Sequence, residues 1–187
     1  MANLRVKREL AGPEAVDRLV EATARFVHQV LQNGPEPKPL FVGIQRRGVP
    51  YARRVAQRLQ HLGHPAPELH TMEIRFYTDD LRLVSERPVV TLNHTFPVDQ
   101  RRVFLFDDVL FTGWTAFAAL QSLYRLGTPE RVYLVTLVDR GHRVMPLCAD
   151  FAALTVETTL QEVIHVHLQE VDHEDRILLM EKQEASP

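Results

Sequence analysis

Apolar runs of strand length recur along this chain, each ending in a polar turn, and two of them open directly into a helical period. That alternation restricts the fold more than any other feature. Leu40-Phe-Val-Gly-Ile44 leads into a basic turn at residues 45–48, after which Ala52, Val55, Ala56, Leu59 and Leu62 repeat at helical spacing up to Gly63. Val103-Phe-Leu-Phe106 leads into residues 107–113 and then a helix on which Phe117, Leu120 and Tyr124 share a face until Gly127. Residues 132–138 form another run, closed by the charged turn Asp139-Arg-Gly-His-Arg143. Uninterrupted apolar runs read as strands buried on both faces, so the predicted class is α/β with a mainly parallel central sheet flanked by helices. Ligands of such sheets gather where loops leave the carboxyl ends of the strands. Here those loops are residues 45–48, 107–115 and 139–143.

The rest of the chain fits around this frame. Val16, Leu19, Val20, Thr23, Val27, Val30 and Leu31 make one apolar stripe, which predicts a first helix over residues 14–32 before a Pro-rich connector. Met72, Ile74 and Phe76 alternate with polar residues in a strand over 69–77, and the polar stretch 78–93 reads as a mobile loop. Shorter strands are expected at 151–154, 163–168 and 177–180. A length of 187 residues suits one core, so residues 1–187 are expected to form a single domain.

Charge and cysteine content narrow the function classes. With 22 Lys and Arg against 24 Asp and Glu the formal net charge is -2, so no global basic field would hold the chain on nucleic acid. Cys148 is the only cysteine, which excludes an intrachain disulfide and a Cys-rich metal site, and it reads as a packed small residue. The basic start is not followed by the apolar stretch of a signal peptide, and no run reaches the roughly 18 apolar residues of a membrane span. A cytoplasmic protein is expected.

The chemistry concentrates in Val103-Phe-Leu-Phe-Asp-Asp-Val-Leu-Phe-Thr-Gly-Trp-Thr115. A buried strand delivers two carboxylates, Asp107 and Asp108, and a Thr-Gly-x-Thr turn then opens a helix. Backbone N–H groups and hydroxyls of Thr112, Gly113 and Thr115 can cradle a phosphate at the positive end of the helix dipole, while the acids accept hydrogen bonds from ribose hydroxyls. A bare acid pair could equally be a solvated helix cap. A Walker-B-like pair would need a Gly-x-x-x-x-Gly-Lys-[Ser/Thr] loop, which is absent, and a receiver-type Mg²⁺ site would not explain the cradle that follows.

This string resembles the 5-phosphoribosyl-1-pyrophosphate (PRPP) signature of type I phosphoribosyltransferases, and Asp-Asp-Val-Leu-Phe-Thr-Gly in particular is similar to the PyrR family, uracil phosphoribosyltransferases that regulate pyrimidine operons. Val42-Gly-Ile-Gln-Arg-Arg-Gly-Val49, Phe76-Tyr-Thr-Asp-Asp-Leu81, Leu137-Val-Asp-Arg-Gly-His-Arg143 and Ala149-Asp-Phe151 match family segments in order. The resemblance implies a type I phosphoribosyltransferase fold with a small hood of short strands. It also implies formation of UMP and pyrophosphate from uracil and PRPP, with Mg²⁺ bound alongside PRPP and no metal ligand assigned to the protein itself. Arg47, Asp107 and Asp108 become the catalytic candidates. Arg46, Arg47 and Gly48 would bind pyrophosphate, Val109, Leu110, Phe111, Thr112, Gly113, Trp114 and Thr115 would line the phosphate loop with the acids, and Arg140 would touch substrate. Tyr77, Thr78, Asp79 and Asp80 would belong to a flexible loop that closes over the site. An mRNA leader is the implied macromolecular partner, with a homodimer or higher homo-oligomer as the assembly. The competing expectations are a catalytically weak, nucleotide-sensing RNA regulator, whose RNA face would draw on Arg18, Arg25, Arg140 and Arg143, and a transferase for another base.

Three positions depart from the family pattern. Thr78 and Trp114 each stand where the family usually has Arg, and Val156-Glu-Thr-Thr-Leu-Gln-Glu162 places Leu160 where the family stacks an Arg over the nucleobase.

Overall fold

The structure is a computed structural model that describes residues 4–32, 39–75, 89–92 and 95–182. In chain order its elements are β1 (Leu4–Ala11), α1 (Pro13–Gln32), β2 (Leu40–Ile44), α2 (Gly48–His61), β3 (Glu68–Arg75), β4 (Val89–Leu92), β5 (Arg102–Leu110), α3 (Trp114–Leu126), β6 (Arg131–Asp139), β7 (Phe151–Thr155), β8 (Glu162–His167), α4 (Gln169–Asp172) and β9 (Arg176–Lys182). Six strands form the main sheet in the order β4-β3-β2-β5-β6-β7, parallel except for the antiparallel edge pair β3–β4. The expected α/β architecture is what forms.

Why the apolar runs make strands is visible on both faces. Phe41, Phe104 and Phe106 pack with Val20, Ala24 and Val27 of α1 and Tyr51, Val55 and Leu59 of α2. Leu40, Val42, Val103 and Leu105 turn the other way, toward Ala116, Ala119 and Leu123 of α3. Each of these side chains is completely buried, and burying one Leu or Phe contributes about 1.5–3 kcal/mol. Thr23, the one polar member of the α1 stripe, is satisfied at 2.7 Å by the Tyr51 hydroxyl.

The termini build the hood. β1 pairs antiparallel with β9, and β9 with β8, in a separate three-stranded sheet. The strands expected at 163–168 and 177–180 are β8 and β9, whereas β1 had no counterpart in the pattern reading. Leu4 and Val6 of β1 are exposed, so no buried stripe announces it. Cross-strand ion pairs mark it instead: Arg5 with Glu181, Lys7 with Glu162 and Glu9 with Arg176.

Two further expectations are corrected. The polar stretch 78–93 is not all loop, because Val89–Leu92 pairs with β3; Tyr77, Thr78, Asp79 and Asp80 lie outside the described residues. Cys148 is exposed rather than packed. Among the described residues, no helix is long and apolar enough to cross a membrane.

Candidate active site

β5 runs four residues further than its apolar core, through Leu110, so Asp107 and Asp108 sit inside the strand's last turn of pleat and not in a loop. Continued pairing with β6, Asp107 opposite Thr136 and Val109 opposite Val138, holds them there. Asp107 is buried and its Oδ1 accepts the Asp108 backbone N–H at 3.0 Å. Burial, and next the neighbouring Asp108 charge, push the Asp107 carboxyl well above the usual carboxylate range. Asp108 is also pushed up by burial, but the Arg47 guanidinium pulls it back. A site that resists holding two bare charges is one that gains from hydroxyl donors or cations brought by a ligand. Val109 and Leu110 pack their side chains into the two cores, leaving only backbone for a ligand.

The loop after β2 meets this acid pair directly. Gln45 N–H donates to the Met72 carbonyl at 2.8 Å, the Gln45–Arg46 peptide is cis, and Gly48 opens α2. A Cβ on Gly48 would overlap the Phe106 carbonyl oxygen and reach the Asp107 Cα at 3.4 Å, so only glycine lets this loop approach the end of β5. Arg46 is exposed. Arg47 forks onto Asp172 of α4, with Nε and Nη2 donating at 2.8 and 2.6 Å. The basic run along α2 is not simply solvated: Arg54 pairs with Glu170 and Asp175, and Arg58 with Asp17.

The turn into α3 forms the cradle. Gly113 is its N-cap at φ 90°, a left-handed conformation, and its missing side chain also makes room for Met145, whose Cβ would stand 3.1 Å from a Gly113 Cβ. The Thr112 carbonyl is held by the Val144 and Met145 N–H groups, both at 2.9 Å. The first N–H groups of a helix have no intrahelical acceptor, and the Thr112 and Thr115 hydroxyls make no hydrogen bond among the described residues. Trp114 is half-buried and lies edge-on to Phe117 at 6.3 Å.

Arg140 joins the cradle to the hood. Only 5% exposed, its guanidinium stacks 4.0 Å above the Phe111 ring and donates to Thr158 Oγ1, the Thr159 carbonyl and the Glu162 carbonyl at 3.2, 3.1 and 2.6 Å. Arg143 likewise binds Asp139 and the carbonyls of Phe111 and Leu147. Two of the four arginines of the expected RNA face, Arg140 and Arg143, therefore spend their guanidinium groups on the fold, and a third, Arg25, pairs with Glu21 on its own helix. Pattern reading missed Asp172 and Thr158. The signal for the first was present, because five Arg between residues 45 and 58 need counter-charges and Glu170, Asp172, Glu174 and Asp175 supply an acidic run.

The sequence and the fold are shared with known proteins. The phosphoribosyl transferase domain family matches residues 14–170. A Bifunctional protein PyrR from Thermus aquaticus is 39% identical over 184 residues, covering 97% of this chain and 100% of the relative. Another from Caldicellulosiruptor bescii is 36% identical over 165 residues, covering 87% and 91%. The chain belongs to the PyrR family of phosphoribosyltransferases. A hypoxanthine phosphoribosyl transferase from Trypanosoma cruzi superimposes with a TM-score of 0.73 over 93% of this chain and 91% of its own, at 14% identity. A purine phosphoribosyltransferase from Pyrococcus horikoshii gives 0.61 over 76% and 83%, at 21% identity. At such identities these two speak for the fold, whose sheet and hood a PyrR-family chain shares with transferases of purines.

Of the three departures, Trp114 stands within the Thr-Gly-x-Thr turn and Thr78 lies outside the described residues. Leu160 is 66% exposed in the turn before β8, where an Arg would have supplied a flat cationic surface. The acids and the Thr-Gly-x-Thr turn are intact.

Proposed function

We propose that this PyrR-family enzyme transfers the phosphoribosyl group of PRPP to a ring nitrogen of uracil, giving UMP and pyrophosphate. The bond from the ribose anomeric carbon to the pyrophosphate oxygen breaks, a bond to the base nitrogen forms, and that nitrogen's proton is lost. The observation that carries this reading is the acid pair at the end of β5, Asp107 buried and Asp108 half-buried, with a helix-opening Thr-Gly-x-Thr turn directly after it. Asp107 and Asp108 would accept the ribose hydroxyls, and the N–H groups and hydroxyls of Thr112 to Thr115 would hold the 5′-phosphate. Arg46, Arg47 and Gly48 would face the pyrophosphate, Arg47 from beside Asp108.

The transition state carries positive charge on the ribose ring and negative charge on the leaving group, so electrostatic placement and orientation account for most of the rate and no protein nucleophile is needed. No group of three or more His, Cys, Asp or Glu among the described residues could hold a metal alone. The two site carboxylates suit a cation that arrives with its phosphates and keeps its waters. Bound in that way, Mg²⁺ would supply charge neutralisation of the departing pyrophosphate. Residues 77–80, in the family's role, would close over the substrate and exclude water. The regulatory role implied by the family would need an RNA surface other than Arg140 and Arg143, so catalysis is the reading the geometry favours.

Radiolabelled uracil, hypoxanthine, guanine and cytosine, each offered with PRPP and Mg²⁺, test the assignment. Conversion of uracil to UMP is expected, slower than is usual for a family member with Arg at position 160. Turnover of a purine with none of uracil would overturn the choice of base.

A further inference from the structure

Asp172 lies 125 residues from Arg47 in sequence, yet it makes the closest contact of the guanidinium expected to meet pyrophosphate. Its carboxylate is fixed from behind, because Oδ2 also accepts the Leu168 N–H at 2.9 Å, which ties it to its own turn of hood chain. Of the four acids between residues 170 and 175, the others hold the scaffold. Glu170 and Asp175 take Arg54, and Glu174 takes His167 and Arg176. Only Asp172 reaches a residue of the proposed site.

The way it binds matters. A guanidinium has a side edge, Nε with one terminal nitrogen, and an end edge made by the two terminal nitrogens. Asp172 takes the side edge with both of its oxygens, and Nη1 makes no hydrogen bond among the described residues. The end edge thus stays available to an anion. The second negative group acting on Arg47 is Asp108, whose charge reaches it through the site.

We propose that Asp172 is a positioning residue: it grips the side edge of Arg47 and presents the end edge to the pyrophosphate of PRPP. The proposal rests on the assignment of Arg47 to pyrophosphate. It makes the hood a structural participant in PRPP binding, since a seated hood is what brings Asp172 to the loop after β2. The Asp172 carboxyl is held down at about 2 by the Arg47 hydrogen bonds, so the grip persists at every pH at which the enzyme would be assayed.

Steady-state kinetics with Asp172→Asn, Asp172→Glu, Glu170→Gln and Arg47→Lys test it. Asp172→Asn is expected to raise KM for PRPP about tenfold, a loss typical of one misplaced charged contact, with kcat within about threefold. Asp172→Glu, which keeps the charge, should recover part of that loss. Glu170→Gln removes a hood pair without touching Arg47, so it should lower Tm and leave KM near wild type. In the Arg47→Lys background, Asp172→Asn should add little, because the two residues act as a unit. An unchanged or lowered KM in Asp172→Asn overturns the proposal, as does an equal rise in Glu170→Gln. Should Asp172→Asn fail to fold, Asp172→Ser takes its place, and a wild-type KM for PRPP in that variant overturns the proposal as well. If Arg47→Lys itself leaves KM for PRPP unchanged, the assignment of Arg47 to pyrophosphate is what fails; a raised KM there with none in the Asp172 variants defeats the positioning role alone.

Discussion

Asp107→Asn is expected to cut kcat/KM for PRPP by about a hundredfold to a thousandfold while making the protein more stable. Both effects come from the same burial. Asn keeps an Oδ1 to accept the Asp108 N–H, but it removes a carboxyl that burial and the Asp108 charge push well above its usual range. A carboxyl whose folded value is raised favours the folded state fully below its unfolded value near 3.9, and that contribution is lost as pH rises toward the folded value. At neutral pH the Asp107 carboxyl therefore opposes folding, and its replacement by a neutral amide should raise Tm. Asp108→Asn should lose activity to a similar extent with a smaller gain, because Arg47 offsets part of the burial that pushes its carboxyl up. Differential scanning calorimetry beside the kinetic assay checks both halves. A variant that is less stable and still active would show that the pair is a structural cap.

The other large effect is expected at Arg140, and there it falls on stability. Arg140→Ala strips donors from the Thr159 and Glu162 carbonyls and from Thr158 Oγ1, and it removes the cation from the Phe111 ring. Only the Glu162 carbonyl is a buried acceptor, and leaving it unsatisfied costs about 1–3 kcal/mol; with about 1–2 kcal/mol for the lost cation–π contact the expected loss is about 3 kcal/mol. Tm should fall by about 6–12 °C. Arg140→Lys should recover little, since an ammonium cannot reach three acceptors in a plane and stack at once. Thermal melts of the two variants decide this, and a wild-type Tm in Arg140→Ala would mean that the hood is held elsewhere.

What could be read from the chain depended on sequence distance. Leu40–Ile44, the apolar start of β5 and the turn at Thr112 to Thr115 are legible because strand burial, helix opening and glycine geometry are written within a few neighbouring residues. The hood is not written locally. β1 has no buried stripe and is held by partners on β8 and β9, with Arg176 reaching Glu9 across 167 residues. Asp172 belongs to a four-residue helix that no period reveals, and its meaning comes only from Arg47. The carbonyls that fold over Arg140 are not legible either, because a charged turn after a strand gives no sign of them. Cys148 was misjudged for the opposite reason, as type preference for burial was overruled by its place in an exposed loop.

The central claim is that the end of β5 and the start of α3 hold a ribose 5-phosphate. A crystal structure of the chain with UMP tests it most directly. The account predicts the 5′-phosphate within hydrogen-bond distance of the N–H groups of Gly113, Trp114 and Thr115, with the ribose hydroxyls on Asp107 and Asp108. A phosphate bound away from that turn, with the two acids untouched by the sugar, would contradict it.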